Sequence, residues 1–273
     1  MYLSVFKRKE MKFLLTLKQY NELQPLIESN LQTDKFFFSL VQSVYFDTDD
    51  FLLIRRSLEK PVYKEKLRLR KYGDESSDSP LFLEVKKKYD GIVYKRRTEI
   101  CREEADKLIY NGKFSVDKSL SGGEKNSLQI NNEIEHFIKF YGGLKPKAMI
   151  MCERKAYVGK NDDLRITFDF DIRYRTDNTD FSYPATGNKI CPGFVLMEVK
   201  TGYAMPLWLC EFLSANKIYK TSFSKYGEAY KIMLLNKQKD RLQKNEAAIK
   251  NNADEIGLEY RQNNYNEEVR KVG

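Results

Sequence analysis

Lys66-Leu67-Arg68-Leu69-Arg70-Lys71-Tyr72, followed after a polar break by Leu81-Phe82-Leu83-Glu84-Val85-Lys86-Lys87-Lys88, decides how this chain is read. Side chains on an extended strand alternate between two faces. Lys66, Arg68 and Arg70 therefore share one face, and Leu67 and Leu69 the other. The second run repeats the pattern, with Glu84, Lys86 and Lys88 opposite Leu83, Val85 and Lys87. Facing rows of cations on paired strands repel one another unless an anion lies between them. A sheet with one solvated basic face would account for a single strand of this kind. The pattern runs through most of the chain.

Upstream, residues 5–17 read as a first strand, Gln19 to Leu31 as a helix with Leu23, Leu26, Ile27 and Leu31 at helical spacing, and Ser43 to Thr48 as a strand ending in an Asp-rich turn. Downstream, Gly73 to Pro80 is a hairpin loop and Asp90-Gly91 a tight turn into Ile92–Ile100. Arg102–Tyr110 and Asn131–Tyr141 read as helices around a Ser/Gly loop at 119–127, a helical insertion over about 101–145. Strands resume at Lys147–Val158, Leu164–Tyr174 and Phe194–Lys200. Helices follow at Met205–Ala215, which Pro206 can start, and from about Glu228 to Asn236. This divides the chain into a domain over 1–236 and a charged helical tail over 237–273.

Composition narrows the chemistry. The 273 residues carry a net charge of +9, which favours a polyanionic partner. Four dispersed cysteines without a CxxC pair form neither a zinc site nor a disulfide framework. A reducing, cytoplasmic setting is expected. No run approaches the length of a membrane span, and Phe6-Lys7-Arg8-Lys9-Glu10 interrupts any signal peptide. One histidine, His136, stands in a helical pattern beside Phe137 and Phe140. It reads as a surface or packing residue, which excludes a multi-His metal site. No recognition helix or aromatic-basic platform is visible, so nucleic acid is not expected.

Parity gives every strand the same polar chemistry: Glu10 and Lys12, Arg68 and Arg70, Glu84, Lys86 and Lys88, Lys95 and Arg97, Arg154, Arg165 with Thr167 and Asp169, then Glu198 and Lys200. Lys87, Arg96, Lys155 and Arg173 read as surface charges. About eight antiparallel strands with one wet and one buried face can close into a barrel. A lumen so charged must hold a polyanion, water and a divalent metal on its carboxylates, because unpaired buried charge is too costly.

In order along residues 8–230 stand Ser43-Val44-Tyr45-Phe46-Asp47, Arg68-x-Arg70, Leu83-Glu84-Val85-Lys86, Lys95-x-Arg97, Glu153-Arg154-x-Ala156-Tyr157, Arg165-Ile166-x-Phe168-Asp169, Leu196-Met197-Glu198-Val199-Lys200 and Ser224-Lys225-Tyr226. This series resembles the polyphosphate-polymerase domain of the vacuolar transporter chaperone (VTC) family, within the triphosphate tunnel metalloenzymes. The resemblance implies an α+β fold: an eight-stranded antiparallel β tunnel with a basic lumen, flanked by helices. It implies ATP and inorganic polyphosphate as ligands and Mn²⁺ or Mg²⁺ on Glu198, with Glu84 or Glu10 as a second ligand or ion-pair partner. Arg68, Arg70, Lys86, Arg154 and Arg165 would hold the reacting phosphates. Lys12, Lys88, Lys95, Arg97 and Lys200 would bind the substrate, and Ser224 and Lys225 would close one end. Eukaryotic-type relatives add a phosphate-sensing domain and membrane helices. Neither is visible here, so a standalone enzyme, or one recruited by a membrane partner, is expected. Two departures stand out. Related triphosphatases carry Glu-x-Glu-x-Lys where this chain has Arg8-x-Glu10-x-Lys12, and Cys152 replaces an expected aromatic.

The expected reaction passes the γ-phosphate of ATP to a growing polyphosphate and releases ADP. A terminal phosphate is already ionised near neutral pH, whereas water needs a base to attack. Scarce histidine and abundant cations therefore favour transfer to phosphate. A tunnel triphosphatase and a non-catalytic polyanion binder are the alternative readings.

Overall fold

The computed structural model describes residues 9–73, 79–90, 92–112, 114, 125–160 and 163–245. Arg8, Gly91, most of the 73–80 loop and the tail beyond 245 fall outside the described residues. The chain divides into two compact units, up to residue 229 and from 230 onward. In the second, residues 230–245 are helical.

The first unit is an antiparallel sheet covered by helices on one face. Its strands are β1 (Lys9–Thr16), β2 (Leu31–Asp47), β3 (Tyr63–Tyr72), β4 (Leu81–Tyr89), β5 (Ile92–Ile100), β6 (Lys145–Gly159), β7 (Arg165–Arg175), β8 (Asn188–Lys189) and β9 (Phe194–Thr201). Its helices are α1 (Leu17–Asn30), α2 (Leu52–Leu58), α3 (Arg102–Asn111), α4 (Lys125–Phe140) and α5 (Leu207–Ala215). Residues 225–229 are also helical. The strand order is β1-β9-β7-β6-β2-β3-β4-β5, with β8 paired to β7.

Alternation sets which face is buried. Leu67, Leu69, Leu83 and Val85 pack with Leu108, Ile134 and Phe137 in one core cluster under α2, α3 and α4. Phe13, Leu15, Ile166, Phe168, Met197 and Val199 pack with Leu23, Ile27 and Leu209 in a second, under α1 and α5. The residues of opposite parity, many of them charged, line the other, concave face.

The sheet curls strongly. The antiparallel sheet expected from the sequence is present, and among the described residues no ladder joins β1 to β5. Lys86 on β4 nevertheless lies 3.4 Å from Glu10 on β1. Segment 220–224 runs along the free edge of β1: Thr221 N donates to Lys12 O at 2.8 Å, and Phe13 bridges Lys220.

Boundaries differ from the sequence reading for local reasons. Helix α1 begins at Leu17 because Thr16 and Gln19 form a capping box, which ends β1 with no intervening loop. Strand β2 is 17 residues long, and its first half, unread in the sequence, lacks alternation and shifts register against β6 between Thr33 and Phe38. Asp47, buried at the end of β2, accepts from Leu53 N and Ile54 N and so starts α2. The helix expected from Glu228 already begins at Lys225. The surface assignments agree with the structure. Lys87 and Arg96 pair with Glu133 on the helical side, Arg173 pairs with Asp171, and Lys155 lies over the Tyr20 and Phe170 rings.

Candidate functional site

Cross-strand register builds the concave face from rungs of charge. Lys64 stands opposite Lys88, Lys66 opposite Lys86, and Arg68 opposite Glu84. Lys86 in turn faces Lys95, and Glu84 faces Arg97. Arg154 faces Asp169, and Lys12 faces Glu198.

Two carboxylate-centred clusters result. In the first, Glu84 accepts from Arg68 Nε at 2.7 Å, and Lys95 Nζ lies 2.6 Å from its other oxygen. Arg97 is 3.7 Å from Glu84 and stacks 3.4 Å from the Phe82 ring centroid. Burial alone would raise the Glu84 carboxyl, but Arg68, Arg70 and Lys95 hold it well below the usual range. In the second, Arg154 forks onto Asp169 at 2.6 and 2.7 Å. Lys225 joins Asp169 to Glu198, bonding the latter at 3.1 Å. Lys12 lies 3.4 Å from Glu198 and 3.6 Å from Glu10. Despite burial, Lys225, Lys12 and Arg154 keep Glu198 ionised.

Ser224 and Lys225 contact charged residues of the concave face. Ser224 Oγ accepts from Lys66 Nζ at 3.0 Å, and Phe223 O accepts from Lys12 Nζ at 3.2 Å. Lys200 lies 3.9 Å from Glu198. Arg165 stands apart: half-exposed, it pairs with Asp34 at 3.1 Å. Lys88 sits one rung from the end of its ladder.

Arg70 differs from every other arginine in the cluster. It is buried and donates to Ser43 Oγ at 3.1 Å and Tyr72 OH at 3.4 Å. It has no ion pair among the described residues. Its charge nevertheless acts on Glu84, whose carboxyl it helps to hold low.

Two groups escaped the sequence reading. Tyr45 stacks on Tyr226 at 4.7 Å and accepts from Arg68 at 3.2 Å. Burial pushes its phenol up, but Arg68, Arg70 and Lys66 bring it down to about 7. Asp169, seen but given no role, anchors both Arg154 and Lys225. The signal for both was available in parity, since Tyr45 shares a face with Ser43 and Asp169 with Thr167.

For a divalent ion, the residues present fit in part. Among the described residues no three Asp, Glu, His or Cys side chains gather as a self-sufficient site. Glu10 and Glu198 flank one ammonium, Lys12, and offer hard oxygen donors. That suits Mg²⁺ or Mn²⁺, ions that take remaining ligands from phosphate and water. Glu84 does not join them, being enclosed by Arg68, Lys95 and Arg97.

Residues 7–234 match the VTC domain. The chain belongs to the VTC domain family. Subunit 4 of the vacuolar transporter chaperone complex of Trypanosoma brucei brucei is 30% identical over 168 residues, which are 53% of this chain and 21% of that protein. Its Trypanosoma cruzi counterpart is 27% identical over 156 residues, 50% of this chain and 19% of that one. The matched part thus spans about a fifth of these relatives' length. A Bacillus halodurans protein described as a candidate adenylate cyclase is similar in structure, with 14% identity, a TM-score of 0.48, and coverage of 81% of this chain and 94% of that one. No helix among the described residues of this VTC domain is long and apolar enough to cross a membrane.

The VTC domain's charge predicts a pH dependence. Burial brings Lys66 down to about 8. A phosphate held beside it would favour the protonated amine, and its affinity would fall as pH rises through that value. Calorimetry with inorganic tripolyphosphate should show weaker binding at about pH 10 than at about pH 7, and Lys66→Met should flatten that trend. An equally steep trend in the variant would remove Lys66 as its source.

Proposed function

We propose that this VTC domain is a metal-dependent ATP:polyphosphate phosphotransferase. The observation that carries this reading is the unpaired buried Arg70 beside the facing lysines Lys66, Lys86 and Lys95. Glu10 and Glu84 offset part of the charge of Lys86 and Lys95; a multiply charged anion along the row would offset the rest, and a phosphate chain supplies charge at every unit.

Arg70, Arg68, Lys86 and Arg154 would hold the phosphates and offset charge as it shifts toward the leaving oxygen. Arg suits two-point phosphate contacts, and Lys gives a point charge. The terminal oxygen of the polyphosphate attacks the γ-phosphorus of ATP, the bond from γ-phosphorus to the β–γ bridging oxygen breaks, and ADP leaves. Glu198 and Glu10 would hold a Mn²⁺ or Mg²⁺ ion, whose charge would screen the phosphate oxygens. No covalent protein intermediate is needed.

Hydrolysis would require a base to activate water. Glu84, Asp169 and Glu198 are held ionised by cations, which makes them poor bases. Tyr45 has the value a base needs, and its placement favours hydrolysis as the second reading. The curated relatives are named as subunits of a complex, and we extend to this chain a partner that recruits it to a membrane.

Incubation with ATP and Mn²⁺ or Mg²⁺, with products resolved on a polyphosphate-stained gel, tests the reading. Polymer plus ADP, lost in Glu198→Ala, is expected. Free phosphate without polymer would assign a triphosphatase, and tripolyphosphate binding with neither product a binding protein.

A further inference from the structure

The charged row does not stop at the residues assigned to the reacting phosphates. By parity Lys64 lies on the same face as Lys66, and it pairs directly with Lys88. That rung lies about 7 Å beyond the Lys66–Lys86 rung, next to the last pair of the ladder, Tyr63–Tyr89. Lys64 Nζ donates to Ser57 O at 3.2 Å. Lys60, in the turn between α2 and β3, is exposed and held at a positive φ of 55°. Among the described residues neither Lys60, Lys64 nor Lys88 has a carboxylate partner. Burial lowers the proton affinity of Lys64, and Lys88, Lys60 and Lys86 lower it further.

Like charges set directly opposite are destabilising. Three lysines kept together at the end of two strands therefore call for an anion longer than the one the inner cluster holds. The aromatic neighbours Tyr63 and Tyr89 have the opposite parity, and Val93 stands across from Lys88. The row therefore has no stacking surface for nucleic-acid bases.

We propose that Lys60 and Lys64 continue the phosphate path through the Lys64–Lys88 rung onto the outer surface, forming a track that grips inorganic polyphosphate beyond the reacting end. This rests on the reading that the concave face takes polyphosphate. A track of this kind acts on long chains alone and keeps a growing product bound between transfers.

The test measures binding of inorganic tripolyphosphate and of long-chain polyphosphate, across a salt series, to the full chain and to the Lys60→Gln/Lys64→Gln variant. Tripolyphosphate affinity should stay within about twofold. Long-chain affinity should fall about tenfold, and its log–log salt slope should shrink by about 1.4, two contacts at roughly 0.7 each. Retained tripolyphosphate binding also shows that the variant is folded. Unchanged long-chain affinity and slope would overturn the track while leaving the proposed function standing. Equal loss for both probes would overturn it by placing these lysines in the inner cluster. A single-stranded oligonucleotide bound more tightly than polyphosphate, and released by the variant, would reassign the surface to nucleic acid. If the unaltered chain binds neither phosphate probe, the proposed function falls and the track with it.

Discussion

Replacing Glu84 by Gln is expected to destabilise the protein by about 3–5 kcal/mol, the usual cost of removing one partner from a buried ion cluster. Glu84 is fully buried. Arg68 Nη2 lies 2.7 Å from one oxygen. Lys95 and Arg97 lie 2.6 and 3.7 Å from the other oxygen. Glutamine keeps the shape and discards the charge, leaving these cations facing one another in a poorly screened site. Urea unfolding measures the loss, and tripolyphosphate should restore part of it by replacing the missing anion. The pH dependence has a definite sign. The Glu84 carboxyl titrates below its unfolded value of about 4.3, so its contribution is complete above that pH and is lost as pH falls toward the folded value. The variant should lack that acid limb. A Gln variant as stable as the parent would show that Glu84 does not hold the cluster together.

The same carboxylate shows what the sequence could and could not disclose. Strand parity placed Glu84, Arg68 and Arg70 on one face, and the structure keeps them there, because a one-residue slip would bury every cation among the leucines of β3 and β4. Partnership is another matter. Glu10, Glu84 and Glu198 look alike along the chain, but the β1–β9 pairing sets Glu198 opposite Lys12, two residues from Glu10, while β3 and β5 enclose Glu84. Arg165 has the right parity too, yet its strand end lies beside Asp34 in the irregular half of β2, which alternation did not reveal. That no ladder joins β1 to β5 among the described residues was equally hidden. Side-chain period reports faces, whereas closure depends on how far the register climbs from β1 to β5.

Arg70→Ala is expected to lower turnover on ATP by about 10²–10³-fold, the range for removing one preorganised donor from a charge-stabilising site. Arg70 lacks the carboxylate partner that its neighbours have among the described residues. Arg68 spends its guanidinium on Glu84 and Tyr45, and Arg154 forks onto Asp169. Among the described residues Arg70 donates only to the hydroxyls of Ser43 and Tyr72, which would leave its charge available to phosphate. The same asymmetry limits the structural cost. Two hydroxyls lose a partner that water can replace, about 1 kcal/mol, far below the loss foreseen for Glu84→Gln. Arg70→Lys should recover little, because an ammonium restores the charge and not the planar two-point contact. Steady-state turnover, tripolyphosphate calorimetry and urea unfolding on both variants separate these terms. Full activity in Arg70→Ala would mean that the phosphates pass elsewhere, while lost activity with a collapsed unfolding midpoint would make Arg70 a structural residue. Stable protein with weakened tripolyphosphate binding and slow turnover is the pattern that follows from a buried cation with no direct ion pair among the described residues.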